Sequence, residues 1–216
     1  MWSAVVGIWI LLLVGGLVLW YARDLPDIDR LAKATRNASV TLAASDGSTL
    51  AHYGDLYGKS LTVKEMSPWL PRAVITSEDQ RFCYHNGVDW VELQGVVEDA
   101  FDDDEAPVRG ASTISMQTAK NLFLWDGRFF IRKILEMPVA FWMDTVWTKR
   151  RMIEVYLNIV EWAPGVYGAE AAAQHHFHKP ARNLTRREAA LLAAVLPNPI
   201  KRKAGKPSRR VNILAH

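Results

Sequence analysis

Glu78 is the first residue whose chemical type does not match its surroundings. If residues 67–82 form a helix, Glu78 shares one face with the apolar residues Val74 and Phe82. Burial raises the pKa of a carboxyl group, so a glutamate in this place could accept a proton near neutral pH. The structural alternative is that a neighbour such as Arg81 neutralises Glu78, or that its side chain reaches water.

A second glutamate, Glu136, follows two basic residues on what should be the same helical face. Arg132 and Lys133 precede it by four and three positions, a spacing that brings side chains together on a helix. Pro138 comes two residues later and should end or kink that helix. The group could bind an anionic ligand, although ion-pair clusters of this kind are also common on surfaces that have no function.

A third polar group lies in the segment RGASTISMQTAKN, residues 109–121. Thr113, Gln117 and Lys120 have the spacing i, i+4 and i+7 and therefore share one helical face, behind a small, hydroxyl-bearing start that includes Ser112. Arginine and lysine side chains bind phosphate groups. Four basic residues could together form a cationic pocket for phosphates: Lys120, Arg128, Arg132 and Lys133.

Other residues that often do chemistry have unsuitable spacing here. Cys83 is the only cysteine, which excludes an intramolecular disulfide and a cysteine-based zinc site. His175, His176 and His178 do not have the H-E-x-x-H spacing, and the acidic residues 102–105 lack the glycine of a calcium loop. These groups are interpreted as structural or solvated residues.

The elements that must position the two glutamates are mostly helical. Ser45-Asp46-Gly47 predicts a turn, and the apolar residues around it predict a short hairpin over 39–53. Because strands and helices do not alternate, the predicted fold class is mainly α, with one domain at 39–216 behind a connector at 23–38. Hydrophobic periodicity predicts helices at about 67–82, 89–101, 112–124, 128–147, 149–161, 166–176 and 185–196.

Composition agrees with one globular domain and an acidic partner. The chain has 216 residues, half of them hydrophobic, which is enough for a sizeable core. A formal net charge of +3 suits anionic lipid, a pyrophosphate or nucleic acid and does not choose among them.

The first 22 residues predict a transmembrane anchor. Residues 4–21 carry no charge, and about 20 residues span a bilayer core of roughly 30 Å. The alternative is a cleaved signal peptide, but no small-residue cleavage site follows the apolar run. Lys and Arg are absent before this segment and frequent after it, so the positive-inside rule alone would leave the domain in the cytoplasm.

Five segments, in this order, resemble the peptidoglycan glycosyltransferases of glycosyltransferase family 51, in particular the monofunctional biosynthetic transglycosylases of Gram-negative bacteria. They are EDQRFCYHNGVD, RGASTISMQTAKN, RKILE, KRRMIEVYLN and FHKPARNLTRREAALLAAVLPNP. The resemblance covers roughly residues 40–208, and the second segment is similar to the family motif G-G-S-T-I-x-x-Q.

The resemblance implies a lysozyme-like fold with a membrane-embedded jaw, anchored by one pass in the inner membrane with the catalytic domain in the periplasm. It implies polymerisation of lipid II: the growing chain leaves undecaprenyl pyrophosphate and joins the GlcNAc 4-hydroxyl in a β-1,4 bond, with inversion. The implied partners are lipid II, the growing glycan strand, the membrane, and division or cell-wall synthesis proteins, with no nucleic acid.

The resemblance also assigns roles to residues of this chain. Glu78 matches the catalytic base, and Glu136 matches a second essential glutamate that organises the pyrophosphate directly or through a divalent cation, Mg²⁺ or Mn²⁺. The groups that match phosphate contacts are Lys120, Arg128, Arg132 and Lys133. The groups that match other substrate contacts are Ser112, Thr113, Gln117 and Asn121.

Two other classes of function stay open. A lysozyme-like lytic enzyme would need a general acid in a sugar cleft and not a cationic pocket. A non-catalytic, membrane-anchored cell-wall scaffold would not need the two glutamates. Three departures from the family pattern are Cys83 near the first motif, the absence of a basic segment before the anchor, and the end at His216, which predicts weaker stability or acceptor binding.

Overall fold

The computed structural model describes residues 39–45, 49–102, 111–124 and 130–215, together with Val5, Trp9 and Gly16. The chain divides into two compact units, 1–36 and 37–216. In the first unit the three described residues have helical backbone; the anchor predicted at 1–22 and the connector at 23–38 otherwise lie outside the described residues. Among the residues that are described, no helix combines the length and apolar character needed to cross a membrane.

The described part of the second unit is mainly helical, as predicted. Each helix falls within, or within two residues of, a segment expected from hydrophobic periodicity, apart from the last one, which was not predicted. The helices are α1 (Trp69–Glu78), α2 (Trp90–Asp102), α3 (Ile114–Phe123), α4 (Phe130–Val146), α5 (Lys149–Ile159), α6 (Ala169–Phe177), α7 (Arg186–Val195) and α8 (Arg209–Leu214).

Helix starts follow the polar residues that can cap them. Thr185 and Glu188 form the predicted capping box at α7, in which each side chain binds a backbone N–H of the other residue. Asp89 caps α2, because its Oδ1 accepts hydrogen bonds from the N–H groups of Val91 and Glu92. Hydroxyl caps also begin α3, α5 and α8, at Thr113, Thr148 and Ser208.

Two small sheets accompany the helices. The predicted hairpin is confirmed: β1 (Val40–Ala43) pairs antiparallel with β2 (Thr49–Tyr53). The second sheet, which was not predicted, has the order β3–β5–β4, where β3 (Leu56–Tyr57) runs parallel to β5 (Val166–Tyr167) and β4 (Glu161–Ala163) runs antiparallel to β5. Strands of two or three residues are too short to show an alternating pattern.

The helix predicted to begin at 166 begins instead at Ala169. Gly168 precedes it with a φ of +85°, a conformation that favours glycine, and its N–H donates to the carbonyl of Val160. Residues 166 and 167 are therefore left in the sheet, and the helix starts only after the turn at Gly168.

Helix α4 passes through Pro138, in agreement with the helix predicted at 128–147, so of the two effects expected of the proline the helix end does not occur. The helix continues for eight residues beyond the proline, to Val146. Proline cannot donate a hydrogen bond to the carbonyl of Ile134, which loses its helical donor. Ile134 and Pro138 are both exposed, so the loss falls on the outer side of the helix, where it costs less than it would in the core.

The core of the domain is formed where α1 packs against α7 and α3 packs against α4 and α5. The apolar side of α5 is buried as predicted, with Met152 and Tyr156 both 0% exposed. The starts of α1 and α7 lie together, because Oγ of Ser67 donates to the carbonyl oxygen of Leu184 and the guanidinium of Arg186 lies 5.5 Å from the ring of Trp69.

Candidate active site

Glu78 is the last residue of α1, and its side chain is half-buried. Nε2 of Gln117, on α3, donates a hydrogen bond to Oε2 of Glu78 at 3.0 Å. Burial raises the pKa of Glu78 above its ordinary value; the hydrogen bond from Gln117 and the charge of Arg202 oppose this rise, and the charge of Asp79 adds to it. The carboxylate therefore has the raised pKa that the sequence predicted.

The neighbour proposed as an alternative partner of Glu78 is engaged elsewhere. Nε of Arg81 lies 2.9 Å from Oδ2 of Asp89, the residue that caps α2. The alternative in which Arg81 neutralises Glu78 is therefore wrong. The carboxylate of Glu78 accepts a hydrogen bond from the amide of Gln117 and forms no ion pair with Arg81.

A cleft of about 450 Å³ opens beside Glu78. Three chain segments line it: the end of α1, the start of α2 and the entry to α3. Its lining residues are Ser77, Glu78, Asp79, Gln80, Arg81, Asp89, Glu92, Ala111, Ser112 and Thr113. The two motifs that begin EDQ and RGAS, separated in sequence, thus meet in one concave surface.

Ser112 connects this cleft to the second glutamate. Nζ of Lys133 donates a hydrogen bond to Oγ of Ser112 and lies 2.8 Å from Oε2 of Glu136. Nε of Arg132 lies 3.6 Å from Oε1 of Glu136. The residue Glu136 is 3% exposed, whereas 44% of the Lys133 side chain is exposed, so the group is not the surface ion-pair cluster considered as the alternative. The buried carboxylate of Glu136 therefore binds the ammonium of Lys133, whose side chain stays partly exposed and can contact a ligand.

Asp79, next to Glu78, holds the first two motifs together and was not singled out by sequence reasoning. Oδ2 of Asp79 accepts the backbone N–H of Ile114, at the start of α3, at 2.9 Å. Nε2 of His85 lies 2.9 and 3.0 Å from the two oxygens of the same carboxylate. The sequence signal for this contact is an acidic residue followed six positions later by a histidine. His85 was instead interpreted as part of a turn.

The turn after His85 is fixed by glycine. Gly87 has a φ of +82°, and a Cβ atom there would lie 2.5 Å from the carbonyl oxygen of Ala140 on α4. Its own carbonyl accepts the hydroxyl hydrogen of Thr113. Thr113 also caps α3 by accepting the N–H of Met116, so this hydroxyl is committed to the backbone inside the fold.

Arg202 is a second residue near Glu78 that sequence reasoning missed. Its Nη1 donates to the carbonyl oxygen of Ala194 at 2.8 Å, at the carboxyl end of α7. Its charge also acts on Glu78, so the cation lies near the carboxyl ends of both α1 and α7, where partial negative charge accumulates. The run of cations in KRKAGK had no periodicity that could single out Arg202.

Not all predicted site residues are brought together. Lys120 and Asn121 are half-buried on α3, and within the described part of the chain no hydrogen bond joins them to Glu78, Lys133 or Glu136. Arg128 lies outside the described residues, so its place in the cationic pocket stays a prediction.

The described residues do not form a ready site for a divalent cation. Mg²⁺ binds through several oxygen ligands, yet the two oxygens of Glu136 already face Lys133 and Arg132. Asp79, His85 and Asp89 bring ligand atoms within 4.8 Å of one another. However, the carboxylates of this second group are occupied by backbone N–H groups, by the imidazole and by a guanidinium.

Comparison with known proteins agrees with the arrangement of these motifs. The sequence profile of the family described as Transglycosylase matches residues 46–215. The biosynthetic peptidoglycan transglycosylase of Agrobacterium fabrum is 55% identical over 175 residues, which cover 81% of this chain and 75% of that protein. The protein of the same name from Rhizobium etli is 57% identical over 155 residues (72% of this chain, 66% of that protein), and the one from Mesorhizobium japonicum is 50% identical over 177 residues (82% and 73%). The chain therefore belongs to the transglycosylase family of enzymes.

Proposed function

We propose that the chain polymerises the glycan strands of peptidoglycan. The growing strand is transferred from its undecaprenyl pyrophosphate to the 4-hydroxyl of the GlcNAc of lipid II, and a β-1,4 bond forms with inversion. The observation that carries the proposal is that two functional groups line the same cleft. One is Glu78, whose carboxylate has a raised pKa, and the other is Ser112, which binds Lys133. The names of the relatives support the class of substrate.

Glu78 acts as the general base in this proposal. Its carboxylate takes the proton from the 4-hydroxyl as the oxygen of that hydroxyl bonds to the anomeric carbon of the donor. The bond from that carbon to the pyrophosphate breaks, and its electron pair leaves with the pyrophosphate. Attack on the face opposite the leaving group accounts for inversion. A raised pKa makes the carboxylate a stronger base than an exposed glutamate.

The cluster around Glu136 supplies positive charge for the leaving group. Lys133 donates hydrogen bonds to both Glu136 and Ser112, and Ser112 lines the cleft, so the ammonium is held at the edge of the cleft before substrate arrives. Preorganised charge of this kind stabilises a developing anion without reorganisation during the reaction. Arg132 adds to the charge, and we assign Lys120 and Arg128 to the same substrate.

We assign no step to a divalent cation. The resemblance to the family implies Mg²⁺ or Mn²⁺, but in this chain Lys133 occupies the place beside Glu136 where such an ion would bind. A metal bound by Glu136 would therefore have to displace the ammonium group.

We propose that the domain acts at the outer face of the inner membrane. A polyprenyl pyrophosphate keeps its tail in the bilayer, so an enzyme that uses it must reach the interface. The apolar segment predicted at 1–22 would hold the domain there by a single pass, with division or cell-wall synthesis proteins as further partners.

Polymerisation of labelled lipid II by the purified full chain in detergent tests the proposed function. We expect a ladder of glycan products that a muramidase digests. A folded protein that yields no polymer would favour the scaffold, and one that shortens preformed glycan strands would favour the lytic enzyme.

The pH dependence of this reaction should depend on Arg202. Arg202→Gln removes a positive charge that lowers the pKa of Glu78, so that pKa rises further. Because the acid side of the kcat/KM profile reports the pKa of the base in the free enzyme, we expect it to move to higher pH. Lys201→Gln removes a charge from the preceding, exposed position and should leave the profile in place. An unchanged pH profile in Arg202→Gln would contradict the assignment of Glu78 as the base whose pKa Arg202 lowers.

A further inference from the structure

A fully buried tyrosine lies behind the proposed base and has no role in the reaction described so far. Tyr156 is on α5 and 0% exposed, and its hydroxyl donates to Oε1 of Gln117 at 2.9 Å. Nε2 of the same Gln117 donates to Oε2 of Glu78 at 3.0 Å. Three side chains from three different helices thus form one hydrogen-bonded chain that ends at the carboxylate.

The direction of this chain is determined by the groups in it. An amide oxygen only accepts hydrogen bonds, an amide nitrogen only donates them, and an ionised carboxylate only accepts. Gln117 must therefore turn its nitrogen towards Glu78, and the phenol must be the donor to the amide oxygen. If the amide were reversed, its oxygen would face the carboxylate of Glu78, and two acceptors would meet without a hydrogen atom between them.

The phenol stays a donor over the working range of pH. Burial and, to a lesser extent, the negative charge of Glu78 raise the pKa of Tyr156 well above its usual range, so the hydroxyl keeps its proton. The other charged groups that influence Glu78 are Asp79 beside it in the chain and Arg202 from the segment after α7. Arg202 acts through its charge, while its Nη1 is bound to the carbonyl of Ala194.

We propose that Tyr156 is a positioning residue for the base. Its hydroxyl fixes the amide of Gln117, the amide fixes Oε2 of Glu78, and Oε1 is left to take the proton of the attacking hydroxyl. The inference rests on the proposed function, in which Glu78 is the base. It gives Gln117 a task inside the protein in addition to the substrate contact implied by the resemblance.

Tyr156→Phe removes one oxygen atom and keeps the ring that fills the core. We expect kcat for lipid II polymerisation to fall roughly ten-fold, a part of the 10²–10⁴-fold that a general base contributes, with little change in KM. The hydrogen bond that stabilises the ionised form of Glu78 weakens, so the acid side of the pH profile should move to higher pH. Partial unfolding would lower the rate equally at every pH and would not move that limb.

A double-mutant cycle separates positioning from general damage to the core. If Tyr156 acts through Gln117, adding Tyr156→Phe to Gln117→Ala should lower kcat no further than Gln117→Ala alone. Rate losses that multiply, or an acid limb that stays in place in Tyr156→Phe, would overturn the inference. Tyr57→Phe on β3, which removes a hydroxyl that donates to Asp55, is the matched control and should keep wild-type kinetics.

The behaviour of the wild type and of Glu78→Gln distinguishes the failure of this inference from the failure of the proposed function. If the wild-type chain does not polymerise lipid II, the proposed function fails. If the wild type polymerises lipid II and Glu78→Gln does so equally well, the chain is a polymerase but Glu78 is not its base, and the role of Tyr156 fails with that assignment. If Glu78→Gln is inactive while Tyr156→Phe matches the wild type in kcat and in pH profile, only the role of Tyr156 is refuted.

Discussion

Replacing Glu78 with glutamine should lower the rate of lipid II polymerisation by roughly 10²–10⁴-fold, the usual contribution of a general base. Glutamine has nearly the same shape and its amide oxygen can still accept the hydrogen bond from Gln117, but it cannot take a proton. The measurement is kcat with labelled lipid II at saturating concentration, and residual activity above a tenth of the wild-type rate would contradict the role of Glu78 as base.

The same substitution should not weaken the fold. Because the pKa of Glu78 is raised in the folded protein, the folded state binds this proton more tightly than the unfolded state does. The contribution of Glu78 to stability is therefore present below its unfolded pKa and is lost as the pH rises through its folded pKa. At neutral pH a neutral glutamine removes that cost, so we expect a Tm equal to or above that of the wild type. Glu98→Gln, which makes the same change at an exposed position on α2, should alter neither activity nor Tm.

Asp79→Asn, one residue further on, should destabilise the fold, whereas Glu78→Gln should not. The Asp79 carboxylate is buried and accepts hydrogen bonds from the N–H of Ile114 and from Nε2 of His85. An asparagine has one acceptor oxygen in place of two and carries no charge, so the N–H of Ile114 and Nε2 of His85 lose their shared ionised acceptor. Weakening the hydrogen bonds of a buried group in this way costs about 1–3 kcal/mol of the free energy of unfolding.

Denaturant unfolding of Asp79→Asn beside Glu78→Gln measures this difference, and each variant controls for the other. A loss below about 1 kcal/mol in Asp79→Asn, the size of an ordinary hydrogen bond, would show that Asp79 does not join the two motifs. The substitutions of Glu78 and Asp79 would then differ only in their effects on activity and not in their effects on stability.

The helical framework could be predicted from the sequence because its signals are local. Periodicity gave the helices, and the hydroxyl and carboxylate of Thr185 and Glu188 gave the start of α7. The contact of Glu136 with Lys133 follows from a spacing of three residues on one helix. These features depend on neighbours within one or two turns, so no tertiary information was needed.

Other features depend on residues that are far apart in the chain. Gln117 is 39 residues from both Glu78 and Tyr156, and no local pattern joins them. Periodicity placed Tyr156 on the buried face of α5 correctly, but the partner of its hydroxyl is set by the packing of α3 on α5. The burial of Glu136 is likewise decided by tertiary structure.

The parallel pairing of β3 with β5 has a consequence for the order in which the domain assembles. Leu56 and Tyr57 bind residues 166 and 167, and the backbone N–H of Leu61 binds Asn158, 97 residues later. On the ribosome, these early backbone groups have no partners until the second half of the domain has been made. Closing so long a loop carries an entropic cost before any contact repays it. We therefore infer that residues 56–63 join the domain late in folding. A nascent chain that stops before residue 158 cannot form these contacts.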